Sequence, residues 1–418
     1  MCTLTDAERI KEMKIIQLKT FPSICVSFFL AFLVAGCGGG GGGGDSAPTP
    51  QVPGKTIGGV GNESGSSAEQ TADGGYIITG YTTSMGAGGA DVYLLKADAV
   101  GTMLWQKTFG SSGDDYGKSV RPTADGGYII AGFTGSPGVV PTDVLMIKTD
   151  ATGNRVWTKT FGGIGDDIAS GVRQTADGGY IVVGTCPGGV GEVNPEPDAF
   201  LLKTDAEGNF LWQQNFGNAQ PNYWAEGYAV EVTTDGFILT GKAEGQGFEL
   251  YLVKTDASGN LLWEKTFSAP GGQQGNAVIP TVDGGFVIVG ESEVAVAGGG
   301  SSVDVYLLKT NSLGEMAWGK TFGTASFDAG NEIRQTADGR YILTGFYGTR
   351  NGDAYLVKTN ATGDAQWTKT FGGNGNDVGS SVRQTADGGF VIVGGTTSAG
   401  AGGSDVYFIK TDAAGNVE

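Results

Sequence analysis

Histidine is absent from all 418 residues of the chain. That removes the commonest general base near neutral pH and the commonest zinc ligand. Positive charge is scarce: 26 Lys and Arg stand against 44 Asp and Glu, a formal charge of −18. Nucleic acid is not an expected partner, because phosphate binding needs a basic patch and no stretch interleaves Lys or Arg with aromatics. Cysteine is limited to Cys2, Cys25, Cys37 and Cys186. Three of these lie in the first 37 residues, so a processed chain would keep one ordinary thiol and no intrachain disulfide. Packing, not covalent staples, has to hold the fold. Also missing are the Gly-x-Ser-x-Gly elbow, the His-Glu metalloprotease motif, the phosphate loop and the haem Cys-x-x-Cys-His motif.

What the chain has in excess is glycine, 77 residues of 418, with no Gly-X-Y period and 39% hydrophobic residues. This combination excludes collagen and wholesale disorder and suits many short strands joined by glycine turns. An Asp-Gly turn recurs seven times, at Asp73, Asp125, Asp177, Asp235, Asp283, Asp338 and Asp387, spaced by 48 to 58 residues. Each unit carries four strand-like runs. In the third they are "SGVRQT", "YIVVGT", "DAFLLKT" and "FLWQQNF". Seven units of about 50 residues with four strands each predict an all-β fold, a seven-bladed β-propeller of antiparallel blades. The chain ends at "KTDAAGNVE", before any "WxKTFG", while "GKTIGG" at 54–59 stands unpaired before the first unit. The N-terminal strand is therefore expected to complete the last blade and close the ring, leaving no free sheet edge at that join.

The strand order resembles that of WD-repeat propellers. The stretch "DVYLLKTDAxGNxxWxKTFGG" resembles the tryptophan repeats of quinoprotein-like propellers, in which the Trp docks between blades. The resemblance covers residues 54–418 and speaks for fold more than for function, because propellers host many activities. Residues present in every unit are read as structural. Among these are Trp105, Trp157, Trp212, Trp263, Trp318 and Trp367, the third-strand lysines from Lys96 to Lys410, and the acids that open those strands.

The N-terminus reads as a targeting segment. Lys14 and Lys19 precede an apolar run of about 14 residues, short of the ~20 a membrane span needs. The run ends in "LVAGC", which resembles the lipobox of bacterial lipoproteins, and that resemblance implies lipidation at Cys37. It also implies, from Gly38 after the cysteine, sorting to the outer membrane or cell surface. The expected boundaries are a signal peptide at 1–37 with its start at Met13, a Gly/Pro-rich tether at 38–53, and the propeller at 54–418. Such a tether would hold the propeller about 20–25 Å from the membrane. Residues 1–37 carry four basic and three acidic groups, so their removal leaves −19.

Candidate binding residues lie where the repeat breaks. Loops 186–198 and 291–304 are lengthened, and "GNAQPNYWAEGY" at 217–228 replaces the usual "GGxGDD". The last contains Trp224, the one Trp outside the repeat position. With Asn222, Tyr223 and Glu226 it suits recognition of a sugar ring or a protein side chain. The alternative is that Trp224 folds back to fill a gap. A second candidate is a ring of carboxylates, Glu63, Asp115, Asp167, Asp328 and Asp377, which would hold Ca²⁺ at one channel mouth. The alternative there is a set of Asx-type turn acceptors. The functional expectation is a lipid-anchored, extracytoplasmic, monomeric binding or scaffold propeller that recognises an envelope protein or glycan on its loop face. It is expected not to be an enzyme and to have no cofactor beyond a Ca²⁺ ion. The competing readings are a carbohydrate-active or quinone-dependent propeller enzyme and a calcium-stabilised adhesin.

Overall fold

The turns explain the strands. In a computed structural model of the chain, the "TADGG" turn is locked by its own residues. Asp73 accepts the Thr71 hydroxyl and the Gly75 N–H, and the Gly74 N–H returns to the Thr71 carbonyl. Gly74 adopts φ +82°, which a residue with a Cβ enters only at a cost. Gly75 is required for a different reason: a Cβ there would lie 2.5 Å from the Lys96 ammonium. That lysine, 4% exposed, pairs with Asp73 at 2.9 Å. The same pairing recurs in every blade, at 2.7 Å for Lys254–Asp235, 3.0 Å for Lys410–Asp387 and 3.6 Å for Lys358–Asp338. Each third strand is thus pinned to the turn that joins strands one and two. The strand-opening acids have another task, as when Asp91 accepts the Ala87 N–H and Asp405 the Ala401 N–H.

The structure describes residues 52–418 apart from 137–138, 188–196, 218–223, 246, 270, 296–299 and 349–350. The chain clusters into two units, 1–49 and 50–418; the first lies outside the described residues, and with it Cys37 and the signal-peptide boundaries. The second is a seven-bladed β-propeller of seven four-stranded antiparallel sheets. Among the described residues there is no helix. Six blades take their four strands in chain order. The seventh joins Asp377–Gln384, Phe390–Thr396 and Asp405–Thr411 to Lys55–Ile57. Lys55, Thr56 and Ile57 pair antiparallel with Phe408, Tyr407 and Val406, so the ring closes through the N-terminal strand as the split repeat predicts.

The core lies between blades. Second strands such as Tyr76–Thr82 and third strands such as Asp91–Ala97 are buried on both faces. Their side chains form mixed clusters with the adjoining blade, as when Ile181 and Val183 pack with Val230 and Leu239. The outer-strand Trp bridges the same gap. Trp157 stands edge-on to Tyr180 of the next blade at 6.0 Å and lies over Gly208, where a Cβ would come within 2.8 Å of the ring. At the closing junction the short N-terminal strand has no Trp. Phe408 substitutes, edge-on to Tyr76 at 5.5 Å and over Gly101.

Candidate functional site

The innermost strand of each blade touches its two neighbours, and the seven enclose a central channel. Every one of these strands carries a bulge at the same point, skipping Ser66, Lys118, Ser170, Tyr228, Asn276, Asn331 and Ser380 in the register. A bulge re-aims one side chain out of the ladder. Here it turns that residue into a chamber of about 100 Å³ lined from all seven blades. Two residues further on, six of the seven blades keep valine or isoleucine and the first has Ala68, whereas the bulge position takes four residue types, Ser, Lys, Tyr and Asn. Sequence reasoning missed the site, because its signal is a non-repeating column inside a repeating strand.

Four residues before each Asp of the turn, the same strands contribute a second ring: Glu69, Arg121, Arg173, Glu231, Ile279, Arg334 and Arg383. With Glu332, all of these but Ile279 form a continuous ion-pair network across the channel. Glu69 takes Arg121 at 2.7 Å and Arg383 at 2.6 Å. Glu332 takes Arg334 at 2.5 Å and Arg383 at 2.8 Å, and Glu231 takes Arg173 at 2.5 Å. Burial alone would raise the carboxyl of Glu332, but Arg334 and Arg383 outweigh it and bring it down to about 2. Glu69 is likewise held far below the usual carboxylate range by Arg383 and Arg121 against the opposing effect of burial. Beyond the ring, at the turn end, a vestibule of about 490 Å³ opens.

Toward the loop face the channel wall becomes aromatic. Tyr116 stacks on Phe133 at 4.9 Å and meets Tyr81 at 5.1 Å. Lys118 lies 5.9 Å and 5.6 Å from the Tyr116 and Phe133 ring centres. Burial pulls its ammonium below the usual lysine value. On the crossing into the sixth blade, Phe327, 44% exposed, meets Phe346 at 6.1 Å.

Of the aromatic loop predicted from sequence, Asn222 and Tyr223 lie outside the described residues. Trp224 is 9% exposed and turned inward, edge-on to Phe248 at 5.5 Å. Glu226 pairs with the buried Lys242 at 3.4 Å and accepts the Tyr228 hydroxyl at 2.5 Å. Lys242 sits 5.2–5.9 Å from the Trp224, Tyr228 and Phe248 rings. The structure therefore brings Trp224 and Glu226 together, but around a lysine of the chain itself.

The five candidate metal acids serve as acceptors for backbone amides. Glu63, Asp115, Asp328 and Asp377 are buried at 1% exposure or less. Each accepts a backbone N–H four residues upstream, from Gly59, Ser111, Thr324 and Gly373, and Asp167 does the same with Gly163. The reason is local: the chain crossing between blades leaves amides that need an acceptor. Each acid instead meets the strand-opening acid of the preceding blade. Asp91 and Asp115 both lie within 3 Å of where a Cβ on Gly110 would be. Burial first, and the neighbouring carboxylate after it, raises the carboxyls of Asp91, Asp304, Asp353 and Asp405. Among the described residues no three such side chains converge in a way that could hold a metal ion.

No family model matches the chain. The regulatory protein FlaEY of Caulobacter vibrioides is 27% identical over 181 residues, which is 38% of this chain and 19% of FlaEY. The chain thus matches about a fifth of that relative's length. Among solved structures, a candidate 6-phosphogluconolactonase from Bacteroides fragilis superposes with a TM-score of 0.50 at 12% identity, over 84% of this chain and 94% of that one. A second from Bacteroides uniformis gives a TM-score of 0.51 at 10% identity, over 83% and 95%. Likeness at this level establishes the fold.

Proposed function

We propose that the chain is a binding propeller, anchored outside the cytoplasm by a lipid on Cys37, that recognises an envelope protein or glycan at the loop-face mouth of its central channel. The observation that carries this reading is where the blades stop repeating. Turns, pinned lysines and interblade Trp residues recur because each blade must pack; the channel-facing bulge residue is not held constant, being serine in three blades, asparagine in two, and Lys118 and Tyr228 in one each. An aromatic wall with one cation, formed by Tyr81, Tyr116, Phe133 and Lys118, suits sugar or side-chain recognition. The rim loop at Trp224 contributes packing around Lys242.

A binding role is favoured over a hydrolase because acid–base chemistry needs one carboxyl that keeps its proton. Glu69, Glu231 and Glu332, the carboxylates that line the chamber and the vestibule, are all held ionised by arginines, while Glu291 behind Asn276, whose carboxyl burial raises, is taken up by Gln274 and Asn276.

Two experiments test the proposal. The full chain and a Tyr81→Ala/Tyr116→Ala variant are applied to an array of envelope glycans and peptides. Recognition that is lost in the variant and kept in Trp224→Phe supports the mouth; equal binding by all three refutes it. Palmitate labelling that disappears in Cys37→Ala, with release of the protein from membranes, supports the anchor, and unchanged membrane association contradicts it.

A further inference from the structure

The arginine–glutamate ring contains an internal comparison. Arginines occupy the same ring position in two pairs of adjacent blades, Arg334 with Arg383 and Arg121 with Arg173. Between the first pair stands Glu332, two residues before Arg334. Its Oε atoms take both guanidiniums, and Oε2 also accepts the Val382 N–H of the next blade at 2.9 Å. Between the second pair the equivalent residue is Ser119. Its hydroxyl accepts the corresponding N–H, from Val172, at 3.4 Å, but it brings no charge.

Arg121 and Arg173 therefore face each other across a blade boundary without a shared carboxylate. Arg173 spends its Nε and Nη2 on Glu231. Arg121 donates Nη1 to the Val120 carbonyl at 2.7 Å and the Ser67 hydroxyl at 3.2 Å, and its one carboxylate partner among the described residues is Glu69, which Arg383 and Arg334 also claim. Burial, and then the charge of Arg173, bring the Arg121 guanidinium down to about 9, the behaviour of a cation short of an anion. Both arginines line the vestibule at the turn end, whose wall holds four arginines and two glutamates.

We propose that the gap between Arg121 and Arg173 binds a small oxyanion, the carboxylate or phosphate group of a ligand entering from the turn-end vestibule, in the role that Glu332 plays for Arg334 and Arg383. Paired guanidiniums match the two oxygens of such a group. The acidic exterior of the chain excludes polyanions, while the vestibule admits a small one. This site lies at the opposite end of the channel from the aromatic mouth and stands independently of it.

The test is the melting temperature of the full chain in sodium phosphate, sodium gluconate or sodium chloride at matched ionic strength. A ligand that binds only the native state raises it. At low-millimolar anion, below the concentrations at which such salts act by exclusion from the surface, the wild type is expected to melt higher in phosphate or gluconate than in chloride; which of the two acts identifies a phosphate- or a carboxylate-bearing ligand. Ser119→Glu supplies the missing carboxylate from within the chain. It is expected to melt higher than the wild type in chloride and to gain nothing further from either anion. Arg121→Gln is expected to weaken the apparent affinity at least about tenfold, the scale of one lost charged hydrogen bond. Identical wild-type melting in all three salts overturns the proposal. So does an undiminished phosphate or gluconate response in Arg121→Gln or in a folded Ser119→Glu.

Discussion

Phe408→Ala should do more harm than its size suggests. The chain runs from blade to blade at every junction, but the three-residue strand Lys55–Ile57 that leads from blade seven into blade one is held to the rest of its blade by non-covalent pairing alone. Phe408 is 1% exposed, pairs edge-on with Tyr76, and lies against Gly101 where a Trp stands at the other junctions. Truncating a fully buried Phe typically costs about 3–5 kcal/mol, from lost transfer energy and the cavity left behind. A loss of about 4 kcal/mol lowers the folding equilibrium roughly a thousandfold and is a large share of a typical total of about 5–15 kcal/mol. Urea denaturation should show a lower midpoint with an unchanged slope. Hydrogen exchange should quicken first in Tyr76–Thr82 and Phe390–Thr396, the strands on either side of the closure. A cost below about 1 kcal/mol, or exchange that quickens evenly around the ring, would refute the argument that this contact holds the closure.

Two glycine substitutions should differ in kind. Gly208→Ala meets both φ +75° and the Trp157 ring at 2.8 Å, whereas Gly388→Ala meets φ +85° and open space. The second should cost about 1–2 kcal/mol and the first clearly more, by denaturation of the two variants. Stability should also respond to pH in two opposed ways. The turn carboxyls of Asp125 and Asp177 are brought to about 2, by hydrogen bonds from Thr123, Thr175 and their lysines against a raising effect of burial. Their contribution is present above the unfolded value of ~3.9 and is lost as pH falls toward about 2. Asp91 and Asp405 are raised, so the native state holds protons that the unfolded state gives up, and stability falls as pH rises above the ordinary carboxyl range. Asp91→Asn should flatten that decline, and a melting curve unchanged in shape from pH 4 to 7 would contradict it. The Cys186 thiol is pushed up to about 12 by burial, so it should resist alkylation at pH 8 in the native protein and react on unfolding.

The fold was legible because its rules are local and repeat. Asp73, Gly74 and Gly75 announce a turn, and "KTIGG" without a partner announces the closing strand. The channel was less legible for a topological reason. Arg383 and Glu69 are 314 residues apart and meet only once the ring has closed. In the sequence they are one variable column in a conserved-looking "VRQT", with nothing to say that the column points inward. The acids at Glu63 and its equivalents were visible as a set, but their burial beneath interblade amides depends on backbone direction, which spacing does not encode. Trp224 stood out as an exception to the repeat. Lys242, whose ammonium it covers, lies in the following strand at a position that the repeat does not hold constant.

The proposed recognition is at the channel mouth and not at the outer rim. The direct measurement is photo-cross-linking in the native envelope, with a benzophenone amino acid placed at Tyr116 in the mouth or at Leu104, which is 58% exposed on an outer strand. A discrete adduct from position 116 that is absent from position 104 is the predicted result. Adducts from 104 alone, or the same adducts from both positions, would contradict it.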